Sequence, residues 1–239
     1  CGRQDNKGIK IKKEIEELGA SCLYVKADLS KVEDCKKIVE LTDKEFGTVH
    51  SLVNVAGYSE RGTILSTILE DYEKIFNVNT RAPFILVQEV VRIMIRDKNK
   101  GTIANLLSMA MYSGMPFLTA YSGSKAALAT MTKNIANALA GHQIRVNALN
   151  IGWTDTPAEH DIQKSVHNKE DDWLKMEESK VPFKRLTKTI DVAKGLAFMC
   201  SDESGLMTGS VIDFDQTVNG WHSYSAYETK ILDDSLLGE

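Results

Sequence analysis

Tyr121 and Lys125 stand four residues apart in the stretch TAYSGSKAAL, which covers residues 119–128. Residues with this spacing are neighbours on one face of a helix. A phenol with an ordinary pKa of about 10 is a poor base at neutral pH, and a nearby ammonium favours its charged form. The pair could therefore take up and return a proton, although such a spacing also arises by chance.

Small and polar residues follow four apolar stretches that are typical of buried strands. Asp28 follows SCLYVKA, and Ser108 ends GTIANLLS. The others are Asn54, Ala56 and Gly57 in NVAG, and Gly152, Thr154 and Thr156 in IGWTDT. In a parallel sheet, ligands bind outside the carboxyl ends of the strands. Each residue alone has a simpler interpretation, such as a helix cap for Asp28 or a turn for Gly57.

The elements that would position these residues alternate between helices and strands. Helices are predicted near residues 8–19, 32–46, 69–96, 119–140 and 190–200. Strands are predicted in SCLYVKADLS, VHSLVNVAG, GTIANLLS, IRVNALNIG and SVIDFD. Nearly continuous apolar strands between helices are typical of a parallel sheet covered on both faces. We expect an α/β fold, a doubly wound Rossmann-type sheet in three α/β/α layers, as one domain over residues 1–239.

The composition argues against several classes of function. The 239 residues are 43% hydrophobic and 26% charged, which is ordinary for a globular protein. A net charge of −4 does not favour binding to nucleic acid or to a membrane surface. The four cysteines and five histidines lack metal-ligand spacing, so no metal site is predicted. Free thiols are typical of a reducing compartment, and we expect a cytoplasmic protein.

Six motifs in a fixed order resemble the short-chain dehydrogenase/reductase family. They are NVAG, FNVNTRAPF, NLLS, YSGSK, VNALNIGWTDT and TGSVIDFD, and Ser108 stands thirteen residues before Tyr121. The chain is similar to the shorter members of that family from Cys1 to about Asp215. The resemblance implies an enzyme that transfers a hydride between a nicotinamide cofactor and a small alcohol or carbonyl substrate.

The resemblance also implies a tetrad of Asn79, Ser108, Tyr121 and Lys125. Tyr121 would be the general acid and base, while Lys125 would lower its pKa and bind the nicotinamide ribose. Ser108 would hold the substrate oxygen. Asn79 would hold a water molecule that connects Lys125 to solvent for proton relay.

Cofactor contacts are implied in the same way. The adenine would be contacted by Asp28 and Leu29, and the adenosine would be lined by Asn54, Ala56 and Gly57. The nicotinamide would be approached by Gly152, Thr154 and Thr156, together with Tyr121 and Lys125. Ile151 stands where the family usually has a proline. Arg3 stands beside the position at which an acidic residue would hold the ribose 2′-hydroxyl, so we expect NADP, with NAD as the alternative.

The pattern departs from the family at its beginning. The glycine-rich turn Thr-Gly-x-x-x-Gly-x-Gly, which cradles the pyrophosphate, does not occur in the sequence. We expect that the N-terminal strand–helix–strand unit is missing from this sequence and that Cys1 is not the natural N-terminus.

Two further segments have expected roles. Residues 157–184 stand where the family has its substrate lid, and Trp173 with the Met109–Met111 pair could line the pocket. Residues 220–239 could pack across the interface of a homotetramer or homodimer that forms through the helices carrying Asn79 and Tyr121. The alternative function is a non-catalytic NAD(P)-binding scaffold or sensor, which the complete Ser-Tyr-Lys set argues against.

Overall fold

A computed structural model describes residues 1–112 and 114–218. Its central sheet has four strands, all parallel, in the order β1–β2–β3–β6. These strands are β1 (Ser51–Asn54), β2 (Thr102–Ser108), β3 (Arg145–Ile151) and β6 (Val211–Phe214). A second parallel sheet joins β4 (Thr154–Asp155) to β5 (Thr187–Lys188).

Eight α-helices surround the sheets in the described part of the chain. They are α1 (Asp5–Glu17), α2 (Val32–Phe46), α3 (Leu69–Phe76), α4 (Ala82–Arg96), α5 (Thr119–Leu139), α6 (Pro157–Ser165), α7 (Trp173–Lys180) and α8 (Thr189–Cys200). Gly47 ends α2 in the left-handed region with φ 78°, where glycine is the favoured residue. The predicted helices form close to their expected ranges, whereas α6 and α7 were not predicted as helices.

The two faces of the sheet are covered by different helices. Ile103 of β2 and Val146 of β3 pack into a core with α2, α4 and α5. Ala104 of β2 and Leu149 of β3 face the other way and pack against α8. Successive strand residues point to opposite faces, so a strand buried on both sides must be apolar throughout. The result is the expected three-layer α/β/α arrangement with a parallel sheet.

The predicted helix over residues 69–96 forms with an interruption. Residues Asn77–Arg81 make a π turn between α3 and α4. Such turns occur mostly inside α-helices and often at functional sites. This turn contains Asn79, which is completely buried.

The strand predicted in SCLYVKADLS is wrong. In the described residues this segment forms one isolated bridge, between Lys26 and Gly2. The Gly2 amide donates to the Val25 carbonyl at 3.2 Å, and the Ala27 amide donates to the Gly2 carbonyl at 3.0 Å. A regular strand needs a run of paired neighbours, and Gly2 supplies a single one. The expected interface segment at 220–239 lies outside the described residues.

Candidate active site

The carboxyl ends of β2 and β3 meet the beginning of α5 at a large cavity. Ser108, the last residue of β2, is in register with Ile151, the last residue of β3. Tyr121 lies in the first turn of α5. Ser108, Ile151 and Tyr121 all line a cavity of about 670 Å³. The structure thus brings together the serine and tyrosine that the sequence predicted as partners.

Burial sets the protonation state of Tyr121. Loss of solvent raises the pKa of its phenol above the ordinary value, because the charged form is disfavoured away from water. Hydrogen bonding to Ser108 and the charge of Arg61 oppose this rise, whereas the charge of Glu159 adds to it. In the chain by itself, Tyr121 is therefore a protonated phenol at neutral pH, able to donate.

Lys125 lies one turn after Tyr121 on α5 and donates to the neighbouring strand. Its side chain is 3% exposed, and its Nζ donates to the Leu106 carbonyl of β2 at 2.8 Å. Nζ lies 5.9 Å from the centroid of the Tyr121 ring. Burial lowers the pKa of Lys125 to about 8. The predicted proximity of Lys125 to the Tyr121 ring is therefore present, and the lowering of the Tyr121 pKa by Lys125 stays a prediction.

Asn79 ties the π turn to the loop after β1. Its Nδ2 donates to the Tyr58 carbonyl at 2.9 Å and to Ser124 Oγ at 3.0 Å. Its Oδ1 accepts from the Tyr58 amide at 2.8 Å. Both amide protons are therefore used. A relay water at this side chain would have the remaining lone pair of Oδ1 as its acceptor.

The bare backbone at Gly57 leaves room beside Lys125. A side-chain carbon at this exposed position would lie 3.7 Å from Asn79 Oδ1 and 3.7 Å from Lys125 Nζ. It would fill the space above both groups. The adjacent Ala56 is also exposed. This opening fits a ribose whose hydroxyls are held by the lysine, which is the contact that the sequence predicted for a nicotinamide cofactor.

Asp28 and Arg3 lie close enough for the charge of Arg3 to act on the Asp28 carboxyl. Asp28 Oδ1 accepts from the Ser30 amide at 3.0 Å and from Ser30 Oγ at 2.8 Å. Hydrogen bonding to Ser30 holds the pKa of Asp28 below its ordinary value, and the charge of Arg3 also lowers it. Leu29 packs against the core. The contacts of these residues with an adenosine stay a prediction.

The side chain of Asn54 has a structural partner. Its Nδ2 donates to Asn105 Oδ1 at 2.8 Å, and Asn105 Nδ2 donates to Thr132 Oγ1 at 3.0 Å. Thr132 belongs to α5, so this buried amide ladder connects β1, β2 and one helix. The Asn54 amide is thus engaged inside the fold, and a cofactor contact would come from its backbone.

The loop after β3 is closely packed at Gly152. A side-chain carbon there would overlap the side chain of Asp215, which would have to shift to make room for it. Thr154 Oγ1 donates to the Gly152 carbonyl at 3.0 Å. Thr156 caps α6, its Oγ1 accepting from the Glu159 amide at 3.1 Å. Gly152, Thr154 and Thr156 all line the cavity.

Residues 157–184 contribute to the cavity wall, but not through the residue expected. Trp173 is 1% exposed and packs inward, with its Nε1 donating to His160 Nδ1 at 3.2 Å. The aromatic and sulfur-bearing residues that do line the cavity are Met109, Met115, Phe117, Tyr121, Trp153 and His167. Met111 packs instead against the core residues near Leu107.

The charged residues of the cavity were not among those predicted from the sequence, and two of them act on Tyr121 through their charge. Arg61 lies in the loop after β1, and Glu159 lies in the first turn of α6. Both had signals. Arg61 follows the strand end NVAG by four residues, and Glu159 is the fourth position of TPAE, a pattern typical of helix N-termini.

The remaining functional classes have no support in the described ranges. Within residues 1–112 and 114–218, no cluster of His, Cys, Asp and Glu could hold a metal ion. The four cysteines are free thiols. Over the same ranges, no helix combines the length and the apolar character that crossing a bilayer requires.

Comparison with known proteins agrees with the fold. Residues 2–219 match the family model described as enoyl-(acyl carrier protein) reductase. An "uncharacterized oxidoreductase" from Thermotoga maritima is 36% identical over 211 residues, which cover 88% of this chain and 82% of that protein. Galactitol 2-dehydrogenase from Agrobacterium fabrum is 32% identical, with 83% and 79% covered. A short-chain type dehydrogenase/reductase from Mycobacterium marinum superposes with a TM-score of 0.79 at 26% identity, covering 90% of this chain and 82% of that one.

Proposed function

Because the chain belongs to the short-chain dehydrogenase/reductase family, whose members are oxidoreductases acting on alcohols or carbonyls, we propose that it transfers a hydride between NADP(H) and a small alcohol or carbonyl compound. The observation that carries the proposal is the cavity in which Ser108 and Tyr121 share one wall. Lys125 and Asn79 lie buried behind that wall.

We assign proton transfer to Tyr121 and substrate orientation to Ser108. A substrate oxygen between them would accept a hydrogen bond from each hydroxyl, which stabilises negative charge as it develops. The phenol is protonated at neutral pH and burial raises its pKa further, so Tyr121 can give its proton to the oxygen when a carbonyl is reduced. In the oxidative direction the same group must first lose that proton.

The bound nicotinamide cofactor would supply or accept the hydride. On this chain, Lys125 would hold its ribose through the opening at Gly57, and Asp28 with Arg3 would hold the adenosine end. The guanidinium of Arg3 suits a 2′-phosphate better than a free hydroxyl, because it can form charge-assisted hydrogen bonds to phosphate oxygens. This is the reason for proposing NADP over NAD.

The proposal is tested by a panel of small alcohols and ketones followed by nicotinamide absorbance, run with NADP(H) and with NAD(H). We expect turnover with at least one compound and a higher kcat/KM with the phosphorylated cofactor. Cofactor binding without turnover of any compound would favour the scaffold or sensor alternative.

The Tyr121→Phe variant tests the mechanism directly. Loss of a general acid reduces kcat by about 100- to 10,000-fold, whereas NADPH binding measured by fluorescence should change little. Tyr72→Phe, which removes an exposed phenol on α3, is the matched control. Near-normal turnover by Tyr121→Phe would contradict the assignment.

We further propose a homodimer or homotetramer and a cytoplasmic location. The assembly proposal is supported by aromatic and aliphatic side chains exposed along α3 and α4, among them Tyr72, Phe84 and Ile95. Four free thiols support a reducing compartment.

A further inference from the structure

Arg61 shares the cavity with Tyr121, and we propose that it binds a carboxylate of the substrate. The inference rests on the proposed function and narrows it: the substrate is a hydroxy acid or an oxo acid rather than a neutral alcohol or ketone. Its oxygen would face Ser108 and Tyr121, while its carboxylate would face the guanidinium.

The guanidinium of Arg61 has unfilled hydrogen-bonding capacity. Its side chain is 19% exposed. Its Nε is fully buried and has no hydrogen-bond partner within the described residues. A buried donor left without a partner is costly, so such a group in a cavity wall calls for an explanation. A ligand oxygen at the exposed part of the guanidinium would give the group a partner, while Nε itself stays shielded.

The nearest carboxylate does not fill this capacity. Glu159 Oε2 lies 3.9 Å from Arg61 Nη2, beyond hydrogen-bond distance. The other oxygen, Glu159 Oε1, accepts from Trp153 Nε1 at 2.8 Å and from Gln163 Nε2 at 2.7 Å. Glu159 is therefore held by neutral donors and does not accept a hydrogen bond from the guanidinium of Arg61.

The other charged groups of the cavity are already occupied. Glu177 lies 3.3 Å from Lys169 and 2.9 Å from Lys180. Asp215 accepts a hydrogen bond from the Thr217 hydroxyl. Arg61 is thus the cation in the wall best able to take a new anion.

Its surroundings also fix its orientation toward the reacting groups. The guanidinium carbon lies 5.7 Å from the centroid of the Phe117 ring, a cation–π distance that restrains the side chain. The positive charge of Arg61 lowers the pKa of the Tyr121 phenol, in opposition to the effect of burial. A rigid arginine presents paired donors that match the two oxygens of a carboxylate. A short acid could therefore bind at both places together.

The test compares hydroxy acids with their own amides, because the pair differs in charge and little in shape. Gluconate with gluconamide, lactate with lactamide and 3-hydroxybutyrate with 3-hydroxybutyramide would be assayed with NADP. We expect at least one pair to favour the acid by about tenfold or more in kcat/KM, the size of one charge-assisted contact. Arg61→Gln should bring that acid-to-amide ratio close to one, and Arg61→Lys should retain part of it.

Two further variants sharpen the comparison. Glu159→Gln removes the competing negative charge and should raise the acid-to-amide ratio. Arg92→Gln removes an exposed arginine of α4 and should leave the ratio unchanged. Circular dichroism would show whether each variant is folded.

A binding measurement gives a readout that does not depend on turnover. Tartrate, a hydroxy dicarboxylate, would be titrated by calorimetry into the protein with NADP present, and Arg61→Gln should weaken its binding about tenfold. Equal kcat/KM for acids and amides in the wild type, or equal tartrate affinity in Arg61→Gln, would overturn the inference and leave the proposed function intact. Failure to turn over any alcohol or ketone would overturn both.

Discussion

The Lys125 side chain is buried in the fold, where solvent barely reaches its ammonium group. Among the described residues its ammonium donates to the Leu106 carbonyl, and burial alone accounts for the fall of its pKa from 10.5 to about 8. Such a group disfavours folding while it is charged, because the unfolded chain solvates the ammonium better. The fold tolerates this cost at the position where the proposed ribose contact requires a cation.

Replacing Lys125 with methionine should therefore stabilise the chain at pH 7. A pKa difference of this size corresponds to roughly 3 kcal/mol, and removal of the hydrogen bond to Leu106 offsets about 1 kcal/mol. We expect the free energy of unfolding of Lys125→Met to exceed that of the wild type by on the order of 2 kcal/mol, measured by urea denaturation.

The advantage of the variant should depend on pH. Between about 8 and 10.5 the unfolded wild type binds more protons than the folded protein, so wild-type stability rises with pH relative to the variant. The difference in the free energy of unfolding between Lys125→Met and the wild type should be largest below pH 8 and should decline above it. Lys133→Met, an exposed change on the same helix, should show no such trend. A Lys125→Met protein less stable than wild type at pH 7 would contradict this account.

The sequence predicted which residues of the tetrad lie together, but not how they interact. The four-residue spacing placed Tyr121 and Lys125 on one side of α5. The acceptor of Lys125 comes from β2, far away in sequence, and such a partner cannot be read from helix spacing. A charge acting on Tyr121 comes from Arg61, in a loop that lies outside the six family motifs.

At the scale of elements, the helices over 157–180 are held by a contact between aromatic rings. Trp173 of α7 stacks on Trp153 with the ring centroids 5.9 Å apart, and it donates to His160 of α6. His160 Nε2 in turn lies 2.8 Å from Asp155 Oδ1 in β4. One buried side chain thus joins both helices to the small second sheet.

Removing Trp173 should loosen this segment. Large-to-small changes of a buried tryptophan lower the free energy of unfolding by about 3–5 kcal/mol. The partners of Trp173, which are Trp153 and His160, are near it in sequence, so we expect the effect to be local. We expect trypsin to cleave Trp173→Ala several times faster at Lys164, Lys169 and Lys175, as identified by mass spectrometry, with a raised KM for substrate.

The comparison variant is Met176→Ala, which alters an exposed residue of the same helix. It should be cleaved at the wild-type rate. Cleavage of Trp173→Ala spread over the whole chain would indicate global unfolding, and unchanged protection would show that Trp173 does not hold the segment. Either result would contradict the local role.

Two features of the elements could not be predicted from the sequence, for a common reason. Periodicity predicts whether a segment is apolar in the pattern of a helix or a strand, but not which neighbours it meets. The π turn at Asn77–Arg81 depends on contacts of Asn79 with Tyr58 and Ser124. The segment SCLYVKADLS has the composition of a strand, yet only Gly2 pairs with it in the described residues.

For the whole molecule, the alternation of helices and strands was enough to predict a parallel sheet with helices on both faces. The same pattern could not predict the oligomeric state. Phe84 on α4 is 44% exposed although it lies on a mostly buried helix, and the proposed assembly would cover it together with Tyr72 and Ile95.

We expect light scattering to give a mass of two or four times that of the chain. Phe84→Asp should shift the distribution toward monomer, because a charge inside an apolar interface is unfavourable. Ile9→Asp, on the exposed side of α1, should leave the mass unchanged. A monomer at every protein concentration would contradict the proposal.

The buried amide ladder of Asn54, Asn105 and Thr132 restricts how the strands can align during folding. Shifting β1 along β2 by one residue would turn Asn54 to the opposite face of the sheet. Asn105 would then be without the donor from Asn54, and each buried polar group left unpaired costs about 1–3 kcal/mol. The ladder thus disfavours pairing of β1 and β2 in a shifted register. Since Ser108 follows Asn105 by three residues on β2, the ladder also fixes the position of the Ser108 hydroxyl relative to Tyr121.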